Sequence, residues 1–354
     1  MRKILVIPMY GIGDVLMTTP AIMNLKKQFN AEITYLHMFE TTRDILLRNP
    51  HIEKHIYFPF LQKSKQDGVR FLMSLRKKYD FSINFYPSNR MSYNLAALII
   101  NAPVRIGHRY ECSDLRELNF LKNRTIKEND LLHNVEENYR LLSFFGIKEA
   151  EPSPMKIYLT EEERLFGLQW LKQRHVGKQI LIGVHPGTSI FKNHEKKRWP
   201  IASFAGVIDR LSRKISNAAF LVFGGEEEKP LRDRLISLVH SGENIFPAET
   251  LSVRESAAVM ERCSLFLTND SGPMHMAAAL GIPVVAIFGP TNPIRVRPWA
   301  VEHMIVQPDM PCSPCFRYSP KPLQCKAGLD YACISGITQE SVSAACLELL
   351  AGIS

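Results

Sequence analysis

The residues able to do chemistry gather at the ends of short apolar runs. Gly11-Ile12-Gly13-Asp14 follows such a run at residues 4–7. Its two glycines permit a tight turn and a ligand's close approach to the backbone. Asp14 stands where a helix should begin, as an N-cap or as a carboxylate offered to a ligand as a general base. The third glycine of the dinucleotide fingerprint is missing, because Asp14, Val15 and Leu16 occupy those positions. A second group is His185-Pro186-Gly187-Thr188-Ser189, followed by Lys196-Lys197-Arg198 and Trp199-Pro200. Thr188 and Ser189 at a strand end offer N–H and O–H donors to a phosphate, and a lysine there would neutralise a diphosphate. A solvated basic loop anchored by Trp199, with His185 as a hydrogen-bonded core residue, accounts for the same pattern.

A third group, Thr268-Asn269-Asp270-Ser271-Gly272-Pro273-Met274-His275, lies between an apolar strand and an apolar helix. Asp270 or Ser271 would cap that helix, whose free N–H groups and about half a positive charge suit an anion. An ordinary capped helix is the plainer account. Gly224-Gly225-Glu226 also follows a strand, and one of Glu226, Glu227 and Glu228 could hold a ribose; a solvated helix start explains them equally. Cys312, Cys315, Cys325 and Cys333 carry enough thiolates for tetrahedral Zn²⁺ or iron, although only the first pair has knuckle spacing. Four reduced thiols in a loop are the alternative. Cys112, Cys263 and Cys346 read as isolated buried residues.

These groups need a scaffold that presents strand ends. Apolar runs at 4–7, 33–36, 56–58, 81–85 and 104–106 alternate with helical stretches at 15–29, 41–48, 66–78, 92–100 and 133–145. Glu151-Pro152-Ser153-Pro154 reads as a linker, and Thr160 with Glu163 forms a capping box. The alternation restarts with strands at 180–184, 219–223, 265–268 and 284–288 and helices near 201–213, 229–239, 253–262 and 271–280. Two α/β, doubly wound, Rossmann-like domains in tandem are expected. The boundaries are 1–155 and 156–337, with a final helix at 338–354, capped by Thr338, completing the first domain. Ligands in such sheets sit beyond the carboxyl ends of the strands, so a central cleft between the domains is expected to hold the site.

Charge adds a partner class. Residues 1–150 hold 22 Lys and Arg against 15 Asp and Glu, out of a net +9 for the 354-residue chain. A basic first half suits an anionic acceptor or a membrane surface, although a solvated surface explains it too. Helix-turn-helix, zinc-finger and RNP signatures are absent, which argues against nucleic acid. Met1-Arg2-Lys3 and the following apolar run resemble a signal peptide, but Pro8 and the glycine turn break it and no cleavage site follows. The seven cysteines do not form a secreted disulfide framework, so a cytoplasmic protein is expected, with peripheral contact at the inner face of an inner membrane.

In combination the motifs resemble a known family. Residues 13–20, His185 to Ser189 with Lys197-Arg198-Trp199-Pro200, Asn269 to Gly272 with His275, and Phe288-Gly289-Pro290-Thr291-Asn292-Pro293 occur in the order seen in the ADP-heptose:lipopolysaccharide heptosyltransferases, glycosyltransferase family 9. The resemblance spans residues 3 to 350. It implies a GT-B fold and inverting transfer of a sugar, heptose from ADP-heptose by family expectation, to a hydroxyl of a lipopolysaccharide core or other surface glycan. Asp14 maps to the family's general base, and Lys197, Asp270, Ser271 and Gly272 to donor-binding positions. Gly13, Thr188, Ser189, Glu226 and His275 complete the candidate donor set. The resemblance also implies that no cofactor is required for catalysis, and that the cysteine loop, as in some relatives, holds a structural metal. Many members carry a basic residue near the end of the first strand, where this chain has Pro8. Another nucleotide sugar, a protein acceptor and a nucleotide-dependent oxidoreductase are the competing readings.

Overall fold

The computed structural model describes residues 1–7, 11–110, 113–147, 151–176, 179–241, 244–316 and 321–352; Pro8 and Cys112 lie outside them. The chain divides into two compact units, Met1–Tyr158 and Leu159–Ser354.

The first unit is a parallel sheet of β1 (Arg2–Val6), β2 (Ala31–His37), β3 (Lys54–Tyr57), β4 (Phe81–Ile83), β5 (Val104–Arg109) and β6 (Arg124–Lys127), in the order β3-β2-β1-β4-β5-β6. Helices α1 (Ile12–Leu16), α2 (Thr19–Gln28), α3 (Glu40–Leu46), α4 (Lys65–Ser74), α5 (Met91–Ile100) and α6 (Asn134–Arg140) connect the strands. Ile4, Leu5 and Val6 of the central β1 are fully buried, as a strand covered on both faces requires.

The single helix expected at 15–29 is two. Pro20 has no N–H and its ring excludes a helical carbonyl four residues back. That carbonyl, of Leu16, instead accepts a 2.8 Å bond from the Thr19 hydroxyl, and the Thr18 hydroxyl donates to the Val15 carbonyl at 2.7 Å. The break leaves α1 as a separate five-residue helix that starts at Ile12, three residues before the expected position.

The second unit repeats the plan. Its strands are β7 (Ile180–His185), β8 (Ala218–Val222), β9 (Ile245–Pro247), β10 (Leu265–Asn269), β11 (Val284–Ile287) and β12 (His303–Val306), parallel and ordered β12-β11-β10-β7-β8-β9. Its helices are α7 (Glu161–Gln173), α8 (Ile201–Lys214), α9 (Lys229–Leu238), α10 (Val253–Met260), α11 (Gly272–Ala279), α12 (Pro293–Val296), α13 (Ala332–Ser335) and α14 (Gln339–Ala351). Thr160 caps α7 in the expected box with Glu163, and Thr338 caps α14.

The final helix does not complete the first unit. Val342, Ala345 and Cys346 of α14 enter the core of the second unit beside Phe204, Ala205 and Ile208. Gly206 on α8 lets the helices meet closely, since a Cβ there would stand 2.1 Å from the Gln339 amide oxygen. Arg210 and Glu340 pair across the same contact. Among the described residues, no helix is long and apolar enough to cross a membrane.

Candidate active site

In the second unit the chemistry collects where β7 and β10, adjacent at the sheet centre, release the chain. Lys197 and Asp270 form a 2.7 Å ion pair with about a tenth of each side chain exposed (10% and 11%). Burial alone would push the Asp270 carboxyl up. The Lys197 charge and hydrogen bond outweigh it and hold the carboxyl below its ordinary range. The Lys197 ammonium is therefore fixed rather than mobile, and Lys196 beside it is exposed.

The loop that delivers Lys197 is tied down at several points. The Thr188 hydroxyl donates to the His194 carbonyl at 2.9 Å, and Arg198 donates to the Thr188 carbonyl at 2.6 Å. Lys192 and Asn193 take left-handed backbone angles, φ 56° and 61°, which Asn tolerates better than Lys. Asn269, at the end of β10, ties down both ends of the β7–α8 loop. Its amide donates to the Pro186 carbonyl at 2.8 Å, and its oxygen accepts from the Trp199 N–H at 3.0 Å. Trp199 is buried against Phe204 and donates its indole N–H to the Ile337 carbonyl at 3.0 Å.

Ser271 occupies the N-cap of α11 in extended conformation, yet its hydroxyl makes no capping bond. It turns instead to His185 Nδ1, at 3.2 Å, and to the Thr268 hydroxyl, also at 3.2 Å. A serine N-cap ordinarily accepts from the first-turn N–H groups; with the hydroxyl turned away, the first-turn N–H groups other than that of Pro273, which has none, are left for an anion. His185 Nε2 lies 3.0 Å from Glu228 Oε2. Burial would raise Glu228, but its hydrogen bond to His185 and that ring's charge hold it below the ordinary carboxylate range. A Cβ at Gly187 would lie 1.9 Å from Glu228 Oε1, so a side chain there would have to displace the carboxylate from His185.

The candidate donor residues thus divide. Lys197, Asp270, Ser271 and Gly272 come together at the start of α11. Thr188 lies in the same loop, fastened by its own bonds. His275, further into α11, is buried; burial pushes its pKa down to about 4, so it is neutral near pH 7. Its Nδ1 has no hydrogen-bond partner among the described residues. Ser189 is exposed and accepts from the Phe191 N–H at 3.1 Å. Glu226 is exposed, whereas Glu228 is the glutamate turned toward the strand ends. A three-residue turn at Glu226–Glu228 carries the chain round before α9, which swings the third glutamate inward. His185 and Asn269 are the members that reasoning from sequence left out of the donor set, and Glu228 is one of the three glutamates among which it did not choose.

In the first unit Gly13 is buried and Asp14 is half-buried, both on α1. Asp14 is close enough to the buried Tyr35 that its charge, after burial itself, disfavours the phenolate. Tyr35 in turn meets the Thr18 hydroxyl at 2.9 Å, and Asn138 donates to the Met17 carbonyl at 3.2 Å, so both sides of the helix break are held.

The cysteine loop departs from expectation. Cys312, Cys315, Cys325 and Cys333 line one cavity of about 210 Å³. Among the described residues, however, no three His, Cys, Asp or Glu side chains gather as a metal-binding group. Backbone N–H groups of Tyr331 and Leu329 lower the Cys325 thiol, whereas burial first, then the neighbouring cysteines, push Cys315 and Cys333 up. The arrangement gives no support to a structural metal.

Comparison with known proteins agrees with this architecture. The family model of glycosyltransferase family 9 (heptosyltransferase) matches residues 69–326. Lipooligosaccharide heptosyltransferase 2 of Haemophilus influenzae is 26% identical over 324 residues, 86% of this chain and 88% of that protein. The crystal structure of a family 9 glycosyltransferase from Veillonella parvula superposes with a TM-score of 0.79 at 24% identity, covering 99% of this chain and 98% of the other. ADP-heptose lps heptosyltransferase II of E. coli superposes with a TM-score of 0.77 at 19% identity, covering 100% and 99%. With two parallel six-stranded sheets, a cluster of mutually fixed polar groups at the strand ends of one and a glycine-flanked carboxylate at the strand end of the other, the chain belongs to glycosyltransferase family 9, the heptosyltransferases, and is a glycosyltransferase of the GT-B class.

Proposed function

We propose that the chain transfers heptose from ADP-heptose, with inversion, to a hydroxyl of an anionic lipopolysaccharide-core acceptor. The observation that carries the reading is the fixed Lys197–Asp270 pair beside the uncapped start of α11. As the sugar–phosphate bond breaks, negative charge grows on the departing diphosphate. The Lys197 ammonium and the first N–H groups of α11 are pre-aimed cationic and dipolar partners for it. Glu228, rather than the exposed Glu226, stands on the strand end where a ribose carboxylate is expected.

Asp14 takes the acceptor's proton as the new bond forms. A single displacement needs one base and no covalent enzyme intermediate, and the reading requires no cofactor. Its half-exposure on α1 leaves the carboxylate able to exchange that proton. The relatives' names supply the donor sugar and the acceptor class, and the basic composition of residues 1–150 supports an anionic acceptor. A cytoplasmic location, with contact at the inner membrane face where such an acceptor would be presented, follows from the same reading.

Calorimetry with ADP, UDP and GDP, followed by a transfer assay with ADP-heptose and a core-oligosaccharide acceptor, tests this. Preferential ADP binding and heptose transfer are expected. Tighter UDP or GDP binding, without turnover of ADP-heptose, would replace the donor assignment.

A further inference from the structure

A helix on the surface of a soluble domain ordinarily turns charged and polar residues outward. The helix α5 does not: Met91–Ile100 carries no charged residue. Its inner face, Tyr93, Ala96, Ala97 and Ile100, packs with Leu72 and Leu75 in a core of the first unit. Its outer positions are Met91, Ser92, Leu95 and Leu98. Val69 and Met73, one turn apart, stand on the exposed side of the neighbouring α4. These five apolar side chains are between 38% and 49% exposed. Phe120, on the turn at Asn119–Leu121 packed against α5, is exposed as well.

The helix is tied in place, so its apolar side is a fixed surface. Asn94 donates to the Glu117 carbonyl at 2.6 Å and to Asn119 Oδ1 at 3.0 Å, and Arg76 donates to the Ile99 carbonyl at 3.0 Å. The charge beside it has one sign. Residues 63–78 hold six Lys and Arg, all exposed, against one acid. That acid, Asp67, is paired with Arg70 at 3.1 Å. Glu117, at the start of α5, is buried, accepts from the Met91 N–H at 3.0 Å and pairs with Arg116 at 2.8 Å. A second copy of the chain seated here by two-fold symmetry would set cations against cations. Leu and Met side chains flanked by cations suit the headgroup boundary of an anionic bilayer. The chain enters α5 from the carboxyl end of β4, and β4 neighbours β1, which leads to α1 and Asp14. The start of the apolar face therefore lies at the sheet edge where Asp14 stands.

We propose that the outer side of α5, with Val69 and Met73 of α4, docks the chain on an anionic phospholipid surface. The apolar side chains enter the boundary between headgroups and acyl chains, and the cations of residues 63–78 meet the headgroup phosphates. The inference gives a surface to the membrane contact read above and rests on that reading. A lipid-anchored acceptor is then presented on the side of the first unit that carries Asp14.

The test is flotation of the full chain with vesicles of phosphatidylcholine alone and of phosphatidylcholine mixed with phosphatidylglycerol. Wild type should float with the anionic vesicles and only weakly with the neutral ones, and added salt should release it. Leu95→Gln combined with Leu98→Gln keeps good helix formers and should weaken binding by about tenfold or more. Lys65→Gln combined with Lys78→Gln should weaken it by roughly fivefold per charge removed. Both variants should melt as the wild type does and transfer heptose to a soluble core oligosaccharide at the wild-type rate. Transfer to an acceptor embedded in anionic vesicles should fall in step with binding. Unchanged vesicle binding by the Leu variant, or no flotation of the wild type, overturns the proposal. So does a wild-type dimer in light scattering that the Leu substitutions dissolve, which would make the face a contact between copies. Failure of the wild type on the soluble oligosaccharide, with flotation intact, overturns the heptosyl reading and leaves the lipid surface standing.

Discussion

The two units share one strand order and differ in what stands at the strand ends. In the second, the polar groups are committed to one another: Lys197 to Asp270, His185 to Glu228 and Ser271, Asn269 to both ends of the β7–α8 loop. In the first, a half-buried carboxylate sits on a five-residue helix created by a proline. A buried ion pair is weak evidence for stability, because desolvation offsets much of the attraction. What the pairing does supply is preorganisation, which a site for a highly charged diphosphate needs before the ligand arrives. On the proposed reading, one topology serves two tasks through the residues that stand at its strand ends.

The sharpest way to break that division is Asp14→Ala. Turnover should fall by about 10²–10⁴-fold, the usual range for a lost general base, with ADP affinity by calorimetry unchanged. A matched loss of ADP affinity would mean that α1 belongs to donor binding after all.

Lys197→Ala should lower kcat by about 10²–10³-fold and weaken ADP binding. It also leaves Asp270 buried without its partner, so the melting temperature should fall. Adding Asp270→Asn removes the stranded charge, and the double variant should recover stability but not ADP affinity. Recovery of both would make the pair a structural feature only.

Acid provides a smaller effect that both units share. In the first, His37 and His55 lie side by side on β2 and β3, Nε2 to Nδ1 at 3.0 Å. Burial first, then the charge of neighbouring His55 and Arg43, pushes His37 down to about 3; burial and Arg43 push His55 down to about 4. In the second, burial takes His194 and His275 to about 4. A ring kept neutral in the fold takes up a proton more readily when unfolded. Its stabilisation is present above the unfolded pKa of about 6.5 and declines as pH falls toward the folded value. Between about pH 7 and about pH 5, His37 alone should account for roughly 2 kcal/mol of lost stability. Urea denaturation at both pH values should show a smaller decline for His37→Asn. Asp270 and Glu228, depressed acids, should add to the loss only below the ordinary carboxylate range.

The central strands were legible because they are buried on both faces and so read as unbroken apolar runs. The missed ones, β6, β9 and β12, each close one edge of a sheet. Their residues are largely half-buried or exposed, as in Arg124 and Lys127, and an edge strand carries no continuous hydrophobic signal. The same logic governs the site. Asp14, Lys197 and Asp270 stand in local motifs that the sequence displays. His185, Glu228 and Ser271 act as a unit only because β7, β8 and β10 bring positions 43 and 86 residues apart into contact. The final helix was assigned to the wrong unit because its amphipathic pattern shows that it packs, not against what.

Two helix caps give the smallest and most local test of what sequence can reveal. Thr160 opens the second unit's α7 by accepting from the Glu163 N–H at 3.3 Å, while Glu163 accepts from the Thr160 N–H at 2.7 Å. His133 does the same office for α6 in the first unit, its Nδ1 accepting from the Val135 N–H at 3.1 Å and Glu136 accepting from the His133 N–H at 2.7 Å. Thr-x-x-Glu is a recognisable box; His-x-x-Glu is not, because imidazole seldom serves as a cap. Thr160→Ala should cost about 1 kcal/mol and Thr160→Ser close to nothing, read from the urea midpoint. Hydrogen exchange should localise the loss to the first turn of α7. Glu163→Ala should cost more, since Glu163 also accepts from Arg254 of α10 at 2.6 Å, a contact the sequence does not disclose. Equal costs for Thr160→Ala and Glu163→Ala would show that the α7–α10 ion pair is idle and that the cap alone fixes the entry to the second unit.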